Sequence, residues 1–257
     1  LMQYSVQYRY NLARMYEKMM NDMRSTQAKN GMVPTIAPEL VEFEGGFKDT
    51  PEWGSSFIIS PWYIYQWYGD SWLIAEYYPD MQRYIEYLSS QAKDHIVAYG
   101  LGDWFDIGPN APGVSQLTSN GVTATAIYYY DVCLMQKMAD LLGKKADVEK
   151  YKNLAAEIKT AFNKTFWNPG TKQYDRNSQA TNAVALYMGL TTPENHQQVY
   201  ENLVKDIRSR NNALTAGDVG YRYVLRALEA GGASDIIYDM NSKYDTPGYG
   251  WQLAHGA

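Results

Sequence analysis

Residues 72–91, WLIAEYYPDMQRYIEYLSSQ, decide the fold of this 257-residue chain. Apolar side chains recur along the stretch at spacings of three and four, which is the period of one face of an α-helix. They are Leu73, Tyr77, Met81, Tyr84, Ile85 and Leu88. The stretch therefore predicts a long amphipathic helix that buries one face against other helices.

The same helical period dominates the rest of the chain. It predicts helices over residues 3–24, 122–142, 147–163, 218–230 and 233–240, and a further helix that starts at Thr192-Pro193-Glu194. Gly143 is expected to end the helix over 122–142. Residues 165–176 predict a small hairpin around Asn168-Pro169-Gly170. Because strand signals are otherwise poor, we expect one all-α domain of paired antiparallel helices.

Two long loops, residues 25–55 and 93–120, separate these helices. Long loops with little regular structure are more often functional than not. Helical hairpins that alternate with long loops favour an (α/α)6 toroid, in which the loops at one end build a cleft. Six pairs need about twelve helices, whereas a chain of this length with two long loops is expected to supply about eight to ten, at roughly 11–12 residues per helix. We therefore expect the ring of helix pairs to be incomplete in this chain.

Composition excludes several classes of function. The net charge of −5 leaves no basic surface for nucleic acid. The single cysteine, Cys133, is expected to be a buried thiol, and the three histidines lie far apart, so no metal site is predicted. The sequence contains no run of 18 apolar residues, so no membrane span is predicted. Phosphate-binding and dinucleotide-binding glycine motifs do not occur, and no cofactor is predicted.

Two loop motifs combine carboxylates with tryptophan. The first is Asp49-Thr50-Pro51-Glu52-Trp53-Gly54, and the second is Gly100-Leu101-Gly102-Asp103-Trp104-Phe105-Asp106. Carboxylates accept hydrogen bonds from neighbouring sugar hydroxyls, and an indole covers the apolar face of a sugar ring. A helix N-terminus that favours acids or a tight turn would also explain each motif taken alone.

Two further motifs favour structural roles. In Gly217-Asp218-Val219-Gly220, Asp218 is interpreted as a helix N-cap. Residues 247–251, PGYGW, are interpreted as a turn that carries aromatic side chains.

Four stretches resemble the catalytic domain of bacterial α-L-rhamnosidases. They are residues 30–70 (NGMVPTIAPELVEFEGGFKDTPEWGSSFIISPWYIYQWYGD), 100–118 (GLGDWFDIGPNAPGVSQLT), 212–228 (NALTAGDVGYRYVLRAL) and 247–257 (PGYGWQLAHGA). The resemblance extends over almost the whole chain. It implies an (α/α)6 barrel and hydrolysis of terminal α-L-rhamnosides with inversion, by a general acid and a general base.

The resemblance also assigns substrate-binding residues. Trp53 and Trp104 match tryptophans that line the rhamnose subsite, and Asp103 matches the acid before the second tryptophan. Glu52 and Asp106 are added because they neighbour these matches. Within this chain, Asp103 and Glu52 are the main candidates for roles that support catalysis, and Asp218 and Tyr249 are weaker candidates that would lie behind the residues in contact with the substrate. Many relatives carry an acid where Ser55 stands here, which puts the sugar preference in question.

Two other classes of function stay open. One is a different toroid glycosidase, such as a glucosidase or an unsaturated-uronide hydrolase, for which Lys48 and Arg222 are the candidate clamps of a substrate carboxylate. The other is a non-catalytic helical module that binds a protein or peptide. The oligomeric state and the cellular compartment are not determined by the sequence.

The family's motif for the general acid, Asp-Cys-Pro-x-Arg-Glu, is expected before Leu1, and its general-base glutamate after Ala257. The resemblance thus implies that residues 1–257 are the central part of the barrel domain, truncated at both ends. We therefore expect a polypeptide of residues 1–257 to show little hydrolysis of an aryl α-L-rhamnoside, measured by release of the aryl alcohol. Turnover near that of the full-length protein would contradict this expectation.

Overall fold

The computed structural model describes residues 3–256, which divide into two compact units. The first comprises residues 3–100 and 127–161, and the second comprises residues 101–126 and 162–256. No helix in residues 3–256 is long and apolar enough to cross a membrane. That same range contains no group of three or more His, Cys, Asp and Glu side chains arranged to hold a metal ion.

Helices make up nearly all of the regular structure. The helices are α1 (Gln3–Gln7), α2 (Ala13–Thr26), α3 (Pro51–Gly54), α4 (Ser56–Tyr68), α5 (Trp72–Gln91), α6 (Asn120–Leu141), α7 (Lys145–Phe166), α8 (Gln179–Tyr187), α9 (His196–Ser209), α10 (Gly220–Ala230), α11 (Ser234–Ser242) and α12 (Tyr249–Ala254). A 3-10 turn, Gly45–Phe47, lies in the first long loop. Helices α6 and α7 each contribute residues to both units.

The first unit packs α2, α4 and α5 against one another. Helix α5 begins at the predicted residue, Trp72, whose backbone N–H donates a hydrogen bond to the Asp70 carboxylate at 2.8 Å. Its predicted apolar face is buried, from Leu73 to Leu88. Tyrosine hydroxyls connect α5 to its neighbours: Tyr78 donates to Asp147 of α7 at 3.0 Å.

The second unit is built around α8, which packs against both α9 and α10. The Ser178 hydroxyl caps α8 by accepting from the Thr181 N–H at 3.0 Å. The predicted hairpin is confirmed: strands β1 (Trp167–Asn168) and β2 (Gln173–Tyr174) pair in antiparallel register, with Trp167 opposite Tyr174. Asn168 holds the turn between them through its side chain.

The ends of α6, α7 and α11 differ from their predicted positions by one to three residues, and three other predicted helix boundaries are wrong. The helix over residues 3–24 is two helices, α1 and α2, because the Leu12 N–H donates to the Tyr68 hydroxyl at 2.9 Å instead of continuing the helix. Residues 193–195 form a turn, and α9 starts only at His196. Helix α10 starts at Gly220 with Val219 at its N-cap position, so Asp218 is not the cap.

Two further interpretations need correction. Residues 247–251 are not only a turn, since helix α12 begins at Tyr249. Cys133 is half-buried rather than buried. Helix α6 does end before Gly143, whose backbone adopts the left-handed conformation with φ 70°.

Candidate functional site

In the second unit, the loop that follows Gly100 is anchored by the carboxyl group of Asp103. This side chain is 0% exposed. Its two oxygens accept hydrogen bonds from the backbone N–H of Gly217 at 2.9 Å and of Gly220 at 2.7 Å. Asp103 therefore fixes the loop to the turn from which α10 starts.

A close backbone approach reinforces this attachment. The Asp218 N–H donates to the Trp104 carbonyl at 2.8 Å. A side chain at Gly217 would overlap that same carbonyl oxygen, and one at Gly220 would lie 2.5 Å from Ala180 Cβ. Glycine is therefore required at both positions for the two segments to come together.

Asp106 closes the loop on itself. It is 2% exposed, and its carboxylate accepts from the backbone N–H groups of Gln116 at 2.9 Å and Leu117 at 2.6 Å. The Ser115 hydroxyl also donates to it, at 3.2 Å. A carboxylate that accepts several N–H groups is a common way to hold an irregular loop in one conformation.

Trp104 is held between these two anchors and remains half-buried. Its indole packs edge-on against Phe105, with 5.1 Å between ring centroids, and lies 3.9 Å from the position of a Cβ at Gly113. Phe105 adopts a left-handed backbone conformation, with φ 62°, and is 49% exposed. The loop thus presents aromatic side chains on a backbone that the two aspartates fix.

In the first unit, Glu52 and Trp53 lie on the single helical turn α3, which Pro51 begins. Glu52 is 8% exposed and Trp53 is half-buried. The backbone at Gly100 passes close to this turn, because a Cβ there would lie 3.3 Å from Glu52 Oε2. Glu52 is therefore an interior carboxyl group, whereas Trp53 is only partly buried.

Asp49, in the same motif, is engaged within the first unit. It accepts a hydrogen bond from the Tyr87 hydroxyl, and the Tyr99 hydroxyl also interacts with it. Burial raises the pKa of Asp49, while both phenol groups lower it.

The five predicted site residues thus fall into two groups. Glu52 and Trp53 belong to the first unit, and Asp103, Trp104 and Asp106 belong to the second. Their assignment to substrate binding stays a prediction. The two weaker candidates, Asp218 and Tyr249, are both exposed.

Sequence reasoning missed the partners of the aspartates. These are the N–H groups of Gly217, Gly220, Gln116 and Leu117, which belong to the backbone and leave no mark in the residue types that donate them. The two glycines spaced by three residues were the only available signal, since close packing of backbones requires glycine.

Asp103 also makes stability dependent on pH. Burial raises its pKa from 3.8 to about 7, although the two N–H groups lower it. Between these values the folded protein keeps a proton that the unfolded chain has lost. The contribution of Asp103 to stability is therefore complete below about pH 4 and falls as the pH rises to about 7.

Replacing Asp103 with Asn removes this titration while keeping the shape of the side chain. We expect the decrease in the free energy of unfolding from about pH 4.5 to about pH 7.5 to shrink by up to about 3 kcal/mol, measured by urea titration. The exposed Asp245→Asn is the control and should keep the wild-type pH dependence. An unchanged pH dependence in Asp103→Asn would contradict the expectation.

Comparison with known proteins gives a consistent result. The alignment with an α-L-rhamnosidase of Formosa agariphila has 26% identity over 93% of this chain and 26% of that protein. The structure of an α-L-rhamnosidase from Dictyoglumus thermophilum superposes with a TM-score of 0.88 and 33% identity, over 96% of this chain and 28% of that one. The structure of a Streptomyces avermitilis α-L-rhamnosidase complexed with L-rhamnose superposes with a TM-score of 0.84 and 26% identity, over 95% of this chain and 23% of that one.

The chain therefore spans about a quarter of the length of the relatives that it matches. The family model described as the bacterial alpha-L-rhamnosidase 6 hairpin glycosidase domain matches residues 1–257. The predicted family and the all-α, six-hairpin fold class are thereby confirmed. From its helices, its match over every residue and its structural relatives, this chain belongs to the bacterial α-L-rhamnosidase six-hairpin glycosidase domain family.

Proposed function

We propose that this chain supplies the sugar-binding residues of a glycoside hydrolase that removes terminal α-L-rhamnose. The observation that carries the proposal is the fixed position of Trp104. Its backbone is held on one side by Asp103 and on the other by Asp106, while its indole stays half-buried. An aromatic wall that is ordered before the ligand arrives loses little entropy on binding.

The chemistry of rhamnose suits such a wall. A deoxyhexose has a methyl group and a patch of ring C–H groups, which pack well on an indole face. Trp53 is assigned the same role, and Glu52 a supporting one, because the family resemblance pairs these motifs. The substrate is accordingly a rhamnose-containing glycoside.

In this proposal, Asp103 and Asp106 position Trp104 and take no part in cleaving the glycosidic bond. Both carboxyl groups are buried and already accept hydrogen bonds from the backbone. The general acid and general base of an inverting hydrolase are therefore two other carboxyl groups, about 6.5–9.5 Å apart so that a water molecule fits between them.

An unsaturated-uronide substrate is less well supported. Such a substrate carries a carboxylate and calls for a basic side chain that is available to pair with it. Lys48 forms an ion pair with Glu42, and the Arg222 guanidinium lies 5.8 Å from the centre of the Tyr223 ring. Neither Lys48 nor Arg222 belongs to either of the two tryptophan motifs.

The full-length protein tests the reaction. We expect it to hydrolyse an aryl α-L-rhamnoside and to leave aryl β-D-glucosides and unsaturated uronides intact. Proton NMR in the first minutes should detect β-L-rhamnose as the first product, since inversion changes the anomeric configuration. First release of α-L-rhamnose would refute inversion, and hydrolysis of only the other glycosides would refute the substrate class.

The tryptophans test the binding residues. Trp53→Ala and Trp104→Ala in the full-length protein should each weaken L-rhamnose binding by about 1–3 kcal/mol, because ring burial is lost. Calorimetric titration measures this change. Trp72→Ala, which removes a 48% exposed tryptophan outside both motifs, is the control and should bind as wild type does. Unchanged affinity in both motif variants would remove these residues from the site.

A further inference from the structure

Helix α6 carries a buried acid that the proposed function does not use. Asp131 is 0% exposed, and neither of its carboxyl oxygens has a hydrogen-bond partner of standard geometry among residues 3–256. An unsatisfied polar group in the interior costs on the order of 1–3 kcal/mol, so stability alone would favour an apolar side chain here. Such a group calls for an explanation other than packing.

Ser55 is the first neighbour of Asp131. Its hydroxyl stabilises the ionised carboxyl and so lowers the pKa of Asp131, which requires the two side chains to be close together. Burial acts in the opposite direction and more strongly, so the pKa of Asp131 is raised well above its ordinary value. Burial therefore favours the protonated form of Asp131, which has one O–H to donate as well as oxygens that accept.

The backbone of Ser55 joins α3 to α4. Its N–H donates to the Pro51 carbonyl at 3.0 Å, which closes α3. Its own carbonyl accepts from the N–H groups of Ile58 at 3.0 Å and Ile59 at 2.9 Å, which begins α4. A shift of Ser55 therefore moves the turn that carries Glu52 and Trp53.

Tyr84 of α5 supports the same turn from another side. Its hydroxyl is buried against Gly54, where a Cβ would lie only 2.5 Å away. Burial raises the pKa of Tyr84, and negative charge on Asp131, Asp49 or Glu52 would raise it further. The phenol thus lies near all three carboxyl groups of this region.

We propose that Asp131 is a positioning residue for the sugar-binding turn. Together with Ser55 and Tyr84 it forms a buried polar cluster that holds α3, and through α3 the indole of Trp53. The three side chains lie on three different segments of the first unit: α6, the α3–α4 junction and α5. The consequence for sugar binding rests on the function proposed above, whereas the consequence for the order of α3 does not.

Replacement of Asp131 by an apolar residue in the full-length protein distinguishes a role in positioning α3 from a role in stabilising the fold. Asp131→Val removes an unsatisfied acid and should leave the urea midpoint of unfolding equal or higher. We expect it nonetheless to raise the dissociation constant for L-rhamnose roughly tenfold, since a misplaced binding group costs affinity and rate out of proportion to the shift. Asp131→Asn keeps a donor and an acceptor in the same shape and should bind L-rhamnose as wild type does.

Tyr151→Phe is the matched control. Tyr151 is also 0% exposed in the first unit, and its hydroxyl likewise has no hydrogen bond of standard geometry to residues 3–256. Its removal should leave L-rhamnose binding unchanged. If Asp131→Val does not fold, Ser55→Ala tests the same cluster and should weaken binding in the same direction.

Hydrogen exchange distinguishes failure of this inference from failure of the proposed function. Residues 50–56 should exchange their backbone amides faster in Asp131→Val than in wild type, whether or not a sugar is present. Wild-type exchange together with wild-type affinity would overturn the positioning role. A wild-type protein that does not bind L-rhamnose, with faster exchange in the variant, would overturn the proposed function and leave the positioning of α3 intact.

Discussion

The carboxyl group of Asp103 meets two backbone N–H groups that lie 114 and 117 residues further along the chain. This contact is the constraint on which the second unit's candidate site depends. It joins an irregular loop to the start of α10, and it does so in the interior, where water does not compete for the donors. The backbone position of Trp104 follows from it, because the Trp104 carbonyl accepts a hydrogen bond from the N–H of Asp218, the residue after Gly217 in the same turn.

The acids of the second tryptophan motif have a structural role that the motif alone does not reveal. An acid–tryptophan motif in a glycine-rich loop is typical of a sugar site, but the same residue types also build a rigid loop. Asp103 and Asp106 accept hydrogen bonds from backbone N–H groups, so in this molecule the acids hold the loop in its conformation, and Trp104 between them is partly exposed. Their pattern cannot separate the two uses, since a carboxylate accepts from sugar hydroxyls and from N–H groups alike.

Local features of the fold could be predicted, and contacts between distant residues could not. Helix α5 matches its predicted range because its apolar period lies within the stretch itself, and the acceptor for its first N–H, Asp70, lies only two residues before it. The hairpin is predictable for the same reason, since Asn168 forms its turn with the residues that follow. The break between α1 and α2, by contrast, depends on the hydroxyl of Tyr68, which is 56 residues away. Likewise, Asp131 had no signal in the sequence, because its neighbours Ser55 and Tyr84 come from other segments.

The exposed side of the Trp104 loop has a practical consequence for protein engineering. Phe105, Ile107 and Val114 each leave nearly half of their surface open to solvent. A combinatorial library confined to these three positions would vary the shape offered to a ligand while the loop's skeleton stayed the same. A library that also varied Gly217 would consist mostly of misfolded proteins, because any side chain there overlaps the backbone of the loop at Trp104.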